Sequence, residues 1–66
     1  MPFPIRFKKY WTEVYVMSDK IVGFEPDRND SRITYLNVVC DGKEMDIQLF
    51  EPIETVRKKI FDAMKA

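Results

Sequence analysis

An α+β domain, a small antiparallel sheet of about five strands with one amphipathic C-terminal helix packed on one face, is predicted by three features of this 66-residue sequence. Apolar and polar residues alternate with period two through its early stretches. An Asp41-Gly42 dipeptide sits between two strand-like runs, and apolar residues recur at helical spacing after Pro52. Residues 1–66 are read as a single domain, the most that a chain of this length holds.

In "FPIRFKKYW", Phe3, Ile5 and Phe7 alternate with Pro4, Arg6 and Lys8, the pattern of a strand with one buried face. "TEVYVM", residues 12–17, is rich in β-formers, with Val14 and Val16 opposed to Tyr15 and Met17. Ser18-Asp19-Lys20 makes a tight connection, and "KIVGFEP" reads as a further short strand. "PDRNDS", residues 26–31, is a polar turn.

Residues 32–50 are predicted as a β-hairpin. Asp-Gly is the dipeptide of the type I′ turn, whose two central residues both need positive φ. A two-residue loop pairs Cys40 with Lys43, Val38 with Met45, Leu36 with Ile47 and Thr34 with Leu49. Side chains alternate along a strand, so Leu36, Val38, Met45, Ile47 and Leu49 share a core face. Tyr35, Asn37, Val39, Glu44, Asp46 and Gln48 share the other.

The helix is predicted over about residues 51–65. Pro52 suits the first helical position, where a missing N–H costs nothing. Glu51 and Glu54 put negative charge at the positive end of the helix dipole, and Lys65 lies near the other end. Ile53, Val56, Ile60 and Met64 form one apolar stripe, Arg57 is spaced to cover the Phe61 ring, and Glu54 and Lys58 form an exposed pair.

The chain is 45% hydrophobic and 14% aromatic, yet a chain this short buries only about 60% of the surface its unfolded form exposes. Nine rings (one Trp, three Tyr, five Phe) exceed what so small a core encloses, so some are expected to meet a second molecule. Eleven cations balance eleven anions, and residues 21–50 carry six acids against three bases. That balance argues against duplex DNA, whose binders show a basic excess. One cysteine forms no internal disulfide, no apolar run reaches the roughly 20 residues of a membrane span, and the N-terminus lacks a signal pattern. The expectation is a cytoplasmic protein without membrane contact.

The order of strand, "DKI" turn, strand, polar turn, "ITYL", "DGKEMDI" and "EPIETVRKKI" resembles the FlbD family of small flagellar and swarming-motility proteins. The matching positions are Val16, Ile21, Ile33, Thr34, Leu36, Gly42, Lys43, Ile47, Glu51, Glu54, Val56 and Ile60, within residues 13–61. They are mainly turn and core positions. The sequence departs from the pattern at "NVV", at Pro52 in place of a serine, and in its aromatic N-terminal arm. The resemblance implies a similar fold and a non-enzymatic accessory or regulatory role, and it supplies no site.

The residues themselves offer no catalytic set. There is no histidine, the commonest general base and metal ligand. Cys40 has no base beside it and reads as a small buried hydrophobe. One thiol makes no structural zinc site, the two glycines make no phosphate loop, and Asp27 and Asp30 fit a solvated turn better than a calcium loop. Catalytic, cofactor-binding and metal-binding residues are therefore all predicted to be absent.

Two surfaces remain. Ile33, Tyr35, Val39 and Phe50 share outward parity and, with Trp11, make an apolar patch of the kind that meets a partner protein or a second copy. Arg6, Lys8, Lys9, Tyr10 and Trp11 instead combine cations for phosphates with rings for bases, as single-stranded nucleic-acid binders do. Against this second surface, adjacent rings in a regular strand point to opposite faces, and lysines commonly guard a strand edge. The sequence therefore favours a protein–protein interaction module, self-associating as a homodimer or higher, with nucleic-acid binding as the alternative.

Overall fold

The computed structural model describes residues 3–65. Five antiparallel strands precede one helix: β1 (Pro4–Lys8), β2 (Glu13–Met17), β3 (Ile21–Pro26), β4 (Thr34–Cys40), β5 (Lys43–Leu49) and α1 (Ile53–Lys65). The α+β class and the element order follow the sequence. The sheet does not: β1 pairs only with β2, while β3, β4 and β5 form a separate three-stranded ladder. The cause lies between β2 and β3. Ser18–Lys20 coil as a short right-handed 3-10 turn. Such a turn sends β3 away rather than back alongside β2, as a primed hairpin turn would.

The β4–β5 hairpin has the predicted register throughout, from Thr34 opposite Leu49 to Cys40 opposite Lys43. Asp41 and Gly42 adopt φ of 54° and 78°, the left-handed pair a type I′ turn requires. Between Ile21 and Gly23 the β3–β4 ladder slips by one residue, so β3 carries a bulge that turns Val22 to solvent.

The two ladders and the helix enclose one core. Ile5 and Phe7 from β1, Val16 from β2, Leu36 and Val38 from β4, Leu49 from β5, and Val56 and Ile60 from α1 are all buried together. The helix lies chiefly across β1, β3 and the 3-10 turn. The packed face continues from Val56 and Ile60 through Ala63, so Met64, predicted on the buried stripe, is 74% exposed, and Phe61 is also exposed. Met45, predicted in the core, is 53% exposed because β5 is the edge strand and the helix lies over the other side of the layer, while Val38 opposite it on the central strand is buried. Cys40, read as buried, is exposed as the last residue before the turn.

Polar ties fasten the ladders to each other. Phe50 N–H donates to the Lys8 carbonyl at 2.8 Å, continuing the edge of β5 onto the end of β1. Glu51, read from the sequence as a charge at the helix N-terminus, is buried at this junction. Its carboxylate accepts the Lys8 N–H at 2.9 Å and the Lys59 ammonium at 2.6 Å, and its carbonyl accepts the Thr34 hydroxyl at 2.7 Å. A buried carboxylate with this many donors is satisfied. The cations over rings are Lys59 above Phe7 and Arg32 above Phe50, rather than Arg57 above Phe61.

Candidate functional site

β1 ends at Lys8 and β2 begins opposite it at Glu13. Lys9 N–H donates to the Thr12 carbonyl at 2.7 Å, which leaves Tyr10 and Trp11 as the tip of the β1–β2 hairpin. Among the described residues Asp41 is the one non-glycine with positive φ, so this tip reverses without a primed turn. The rings are thus outside regular strand structure, and the rule that sends neighbours to opposite faces does not govern them. Tyr10 and Trp11 stand edge to face with centroids 4.6 Å apart, and Trp11 is 89% exposed.

A ladder of contacts holds this exposed pair. Tyr10 meets the Phe50 ring edge to face at 5.3 Å, the Arg32 guanidinium lies 5.6 Å from the Phe50 centroid, and Asp30 grips Arg32 through both oxygens at 3.1 Å. Asp30 also accepts the Arg32 N–H, and these bonds hold its carboxyl below the ordinary range. The same pairing raises the Arg32 guanidinium further. Asp27 builds the preceding turn by accepting the N–H groups of Asn29 and Asp30 and the Tyr35 hydroxyl. The Asn29 bond first, then Tyr35, lowers Asp27, while its bond to Asp27 and partial burial raise the Tyr35 hydroxyl.

The tip divides two hollows. One, about 490 Å³, has Lys9, Tyr10, Trp11 and Thr12 on one wall, and Ile33 and the run from Met45 to Phe50 on the other. The second, about 360 Å³, is lined by Arg6, Lys8, Lys9, Tyr10 and Trp11, together with Glu13, Glu51 and Lys59. Arg6 faces Glu13 at 3.6 Å and Lys59 is paired with Glu51, so Lys8 and Lys9 are the cations of this hollow outside ion pairs among the described residues.

The predicted partner surface is therefore split. Trp11, Ile33 and Phe50 come together in the first hollow. Tyr35 lines a different one with Asp27, its hydroxyl engaged there at 2.9 Å, and Val39 stands in neither. All five residues of the basic-aromatic set meet in the second hollow. No protein-family model, no curated protein and no solved structure matches the chain. Sequence reasoning missed Arg32, Met45 and Ile47 as members of the site. The first stands at the start of the predicted hairpin and was given no role there, and the others were assigned to the core. Among the described residues no helix is long and apolar enough to cross a membrane, and no three His, Cys, Asp or Glu gather as a metal site.

Proposed function

We propose that this chain is a non-enzymatic interaction module, an accessory or regulatory protein that works by holding another protein at the face around Trp11. The observation that carries the reading is an indole 89% exposed yet braced through Tyr10 to Phe50 beside an apolar groove. Braced, exposed Trp and Tyr are what interface hot spots are made of, because little conformational entropy is lost when they are covered. The accessory role implied by the FlbD-like pattern belongs to the same reading, as does a cytoplasmic setting. A second copy is the first partner to test, because the excess of rings is a property of the chain itself.

Three measurements test this. Selection of random peptides displayed on phage is expected to enrich a sequence family whose binding is lost in Trp11→Ser and kept in Tyr15→Ser. Light scattering reports whether the second copy is the partner. A single-stranded oligonucleotide titrated at two salt concentrations tests the rival, favoured by the convergence of Arg6, Lys8, Lys9, Tyr10 and Trp11 in one hollow. Salt-dependent oligonucleotide binding lost in Lys8→Glu with Lys9→Glu, with no enriched peptide, overturns the protein-binding reading.

A further inference from the structure

The groove beside Trp11 has an unusual wall. It is not a scatter of side chains but a continuous run of one edge strand, Met45 through Leu49 of β5, followed by Phe50. Because Cys40 and Lys43 flank a two-residue turn, they form a hydrogen-bonded pair, and the bonded pairs then alternate along the hairpin. Lys43, Met45, Ile47 and Leu49 spend their backbone groups on β4. Glu44, Asp46 and Gln48 turn theirs to the open edge. Phe50 has the same parity, and its N–H is the one donated outward to Lys8. β1 thus begins to continue the sheet and then leaves it at Lys9. Beyond that point the three residues present backbone donors and acceptors along the open edge, Gln48 and Asp46 within the groove and Glu44 just past its end.

We infer that this edge receives an extended peptide from another protein by strand addition, and that the peptide alternates apolar with basic residues. The inference rests on the reading of the Trp11 face as a protein-contact surface. An added strand continues the pleat, so its side chains fall alternately on the two faces of β5. On one face they meet Met45, which is 53% exposed, and half-buried Ile47. On the other they meet the exposed carboxylates of Glu44 and Asp46. Tyr10 and Trp11 form the far wall, closing over the peptide from the side away from β5.

The same charges speak against a second copy of β5 in this place. A two-fold antiparallel pairing of two such edges sets Asp46 against Asp46, Glu44 against Glu44, or Glu44 against Asp46. Like charges directly opposite are destabilising. Registers that avoid these contacts slide onto Phe50, whose N–H is already bonded to Lys8. The edge is guarded against itself and open to a cationic strand.

The probe is a blocked hexapeptide alternating valine and lysine, with a valine–glutamate hexapeptide as control. Trp11 is the chain's one tryptophan, so its emission reads the groove without a label. The valine–lysine peptide is expected to shift that emission and to slow amide exchange at Glu44, Asp46 and Gln48. Methylating alternate peptide nitrogens, or Asp46→Pro in the protein, is expected to weaken binding about tenfold or more, the worth of one or two backbone hydrogen bonds. Proline is tolerated where an edge N–H faces outward. Circular dichroism checks that the variant folds, and the methylated peptide needs no variant at all. Glu44→Lys with Asp46→Lys is expected to reverse the preference between the two peptides. Equal binding of both peptides, indifference to methylation, or no binding overturns strand addition. So does a dimer in which those three amides are already protected. If phage-selected peptides still need Trp11, the function reading survives that failure, and if only oligonucleotide binds, both fall.

Discussion

Two hairpins in this molecule reverse the chain over two residues, and they do it with opposite chemistry. At the β4–β5 turn Asp41 and Gly42 occupy the left-handed region, and the tip is polar and exposed. At the β1–β2 tip the same position holds Tyr10 and Trp11, large rings in backbone conformations that any residue adopts. The first tip is chosen for the turn. The second is not: primed turns match strand twist best, and neither ring favours one. Its rings pack on each other and on Phe50, outside the buried core. The contrast teaches that the aromatic tip serves contact and the glycine tip serves folding.

Both hairpins depend most on the core beneath them. Phe7→Ala, at a fully buried position, is expected to cost about 3–5 kcal/mol and leave much of the chain unfolded at room temperature by circular dichroism. Glu51→Ala removes the acceptor that ties the end of β1 to the helix through Lys8 and Lys59. Lys59 is one-third exposed, so the expected loss in denaturant unfolding is about 2 kcal/mol rather than that of a fully buried pair. Gly42→Ala puts a Cβ on a residue at φ 78° and should cost about 1 kcal/mol, from backbone strain alone since no atom crowds the site. Tyr10→Asp with Trp11→Gly, which rewrites the aromatic tip as the other one, should change stability by less than about 1 kcal/mol while abolishing peptide binding. A large loss of stability there would erase the contrast.

Acid acts on the carboxylates that brace the aromatic tip through Arg32. Asp27 and Asp30 have folded pKa values depressed by their hydrogen bonds, so the stability they add is present above the unfolded carboxylate value. It is lost as pH falls from about 4 through the lower folded values. Tyr35 is raised, so its contribution is present at neutral pH and lost only as pH rises past 10. Carboxyl carbon shifts on a pH titration should show both aspartates titrating low, and Arg32 leaving the Phe50 ring as Asp30 protonates.

The β4–β5 hairpin was legible because Asp41-Gly42 fixes both turn and register, and a period-two pattern then fixes the faces. The helix was legible from Pro52 and the spacing of Val56 and Ile60. The division into two ladders was not, because it turns on the coiling of Ser18–Lys20, which residue types at those positions leave open. Glu51 is buried by Lys8, 43 positions away, a contact no local pattern encodes. The aromatic tip was hidden for a different reason. Extending the alternation of β1 through Tyr10 and Trp11 assumes that the strand continues, and no Gly, Pro or Asn marks its end. Once the strand stops at Lys8, the two candidate surfaces share Trp11 as a common wall.

Amide hydrogen exchange along β5, with and without the valine–lysine hexapeptide, reads whether this edge is open and whether a peptide closes it. In the free protein Met45, Ile47 and Leu49 should exchange slowly and Glu44, Asp46 and Gln48 fast, with the fast set becoming protected when the peptide is added. Uniform protection of all six in the free protein, or an unchanged fast set at saturating peptide, would contradict strand addition at this edge.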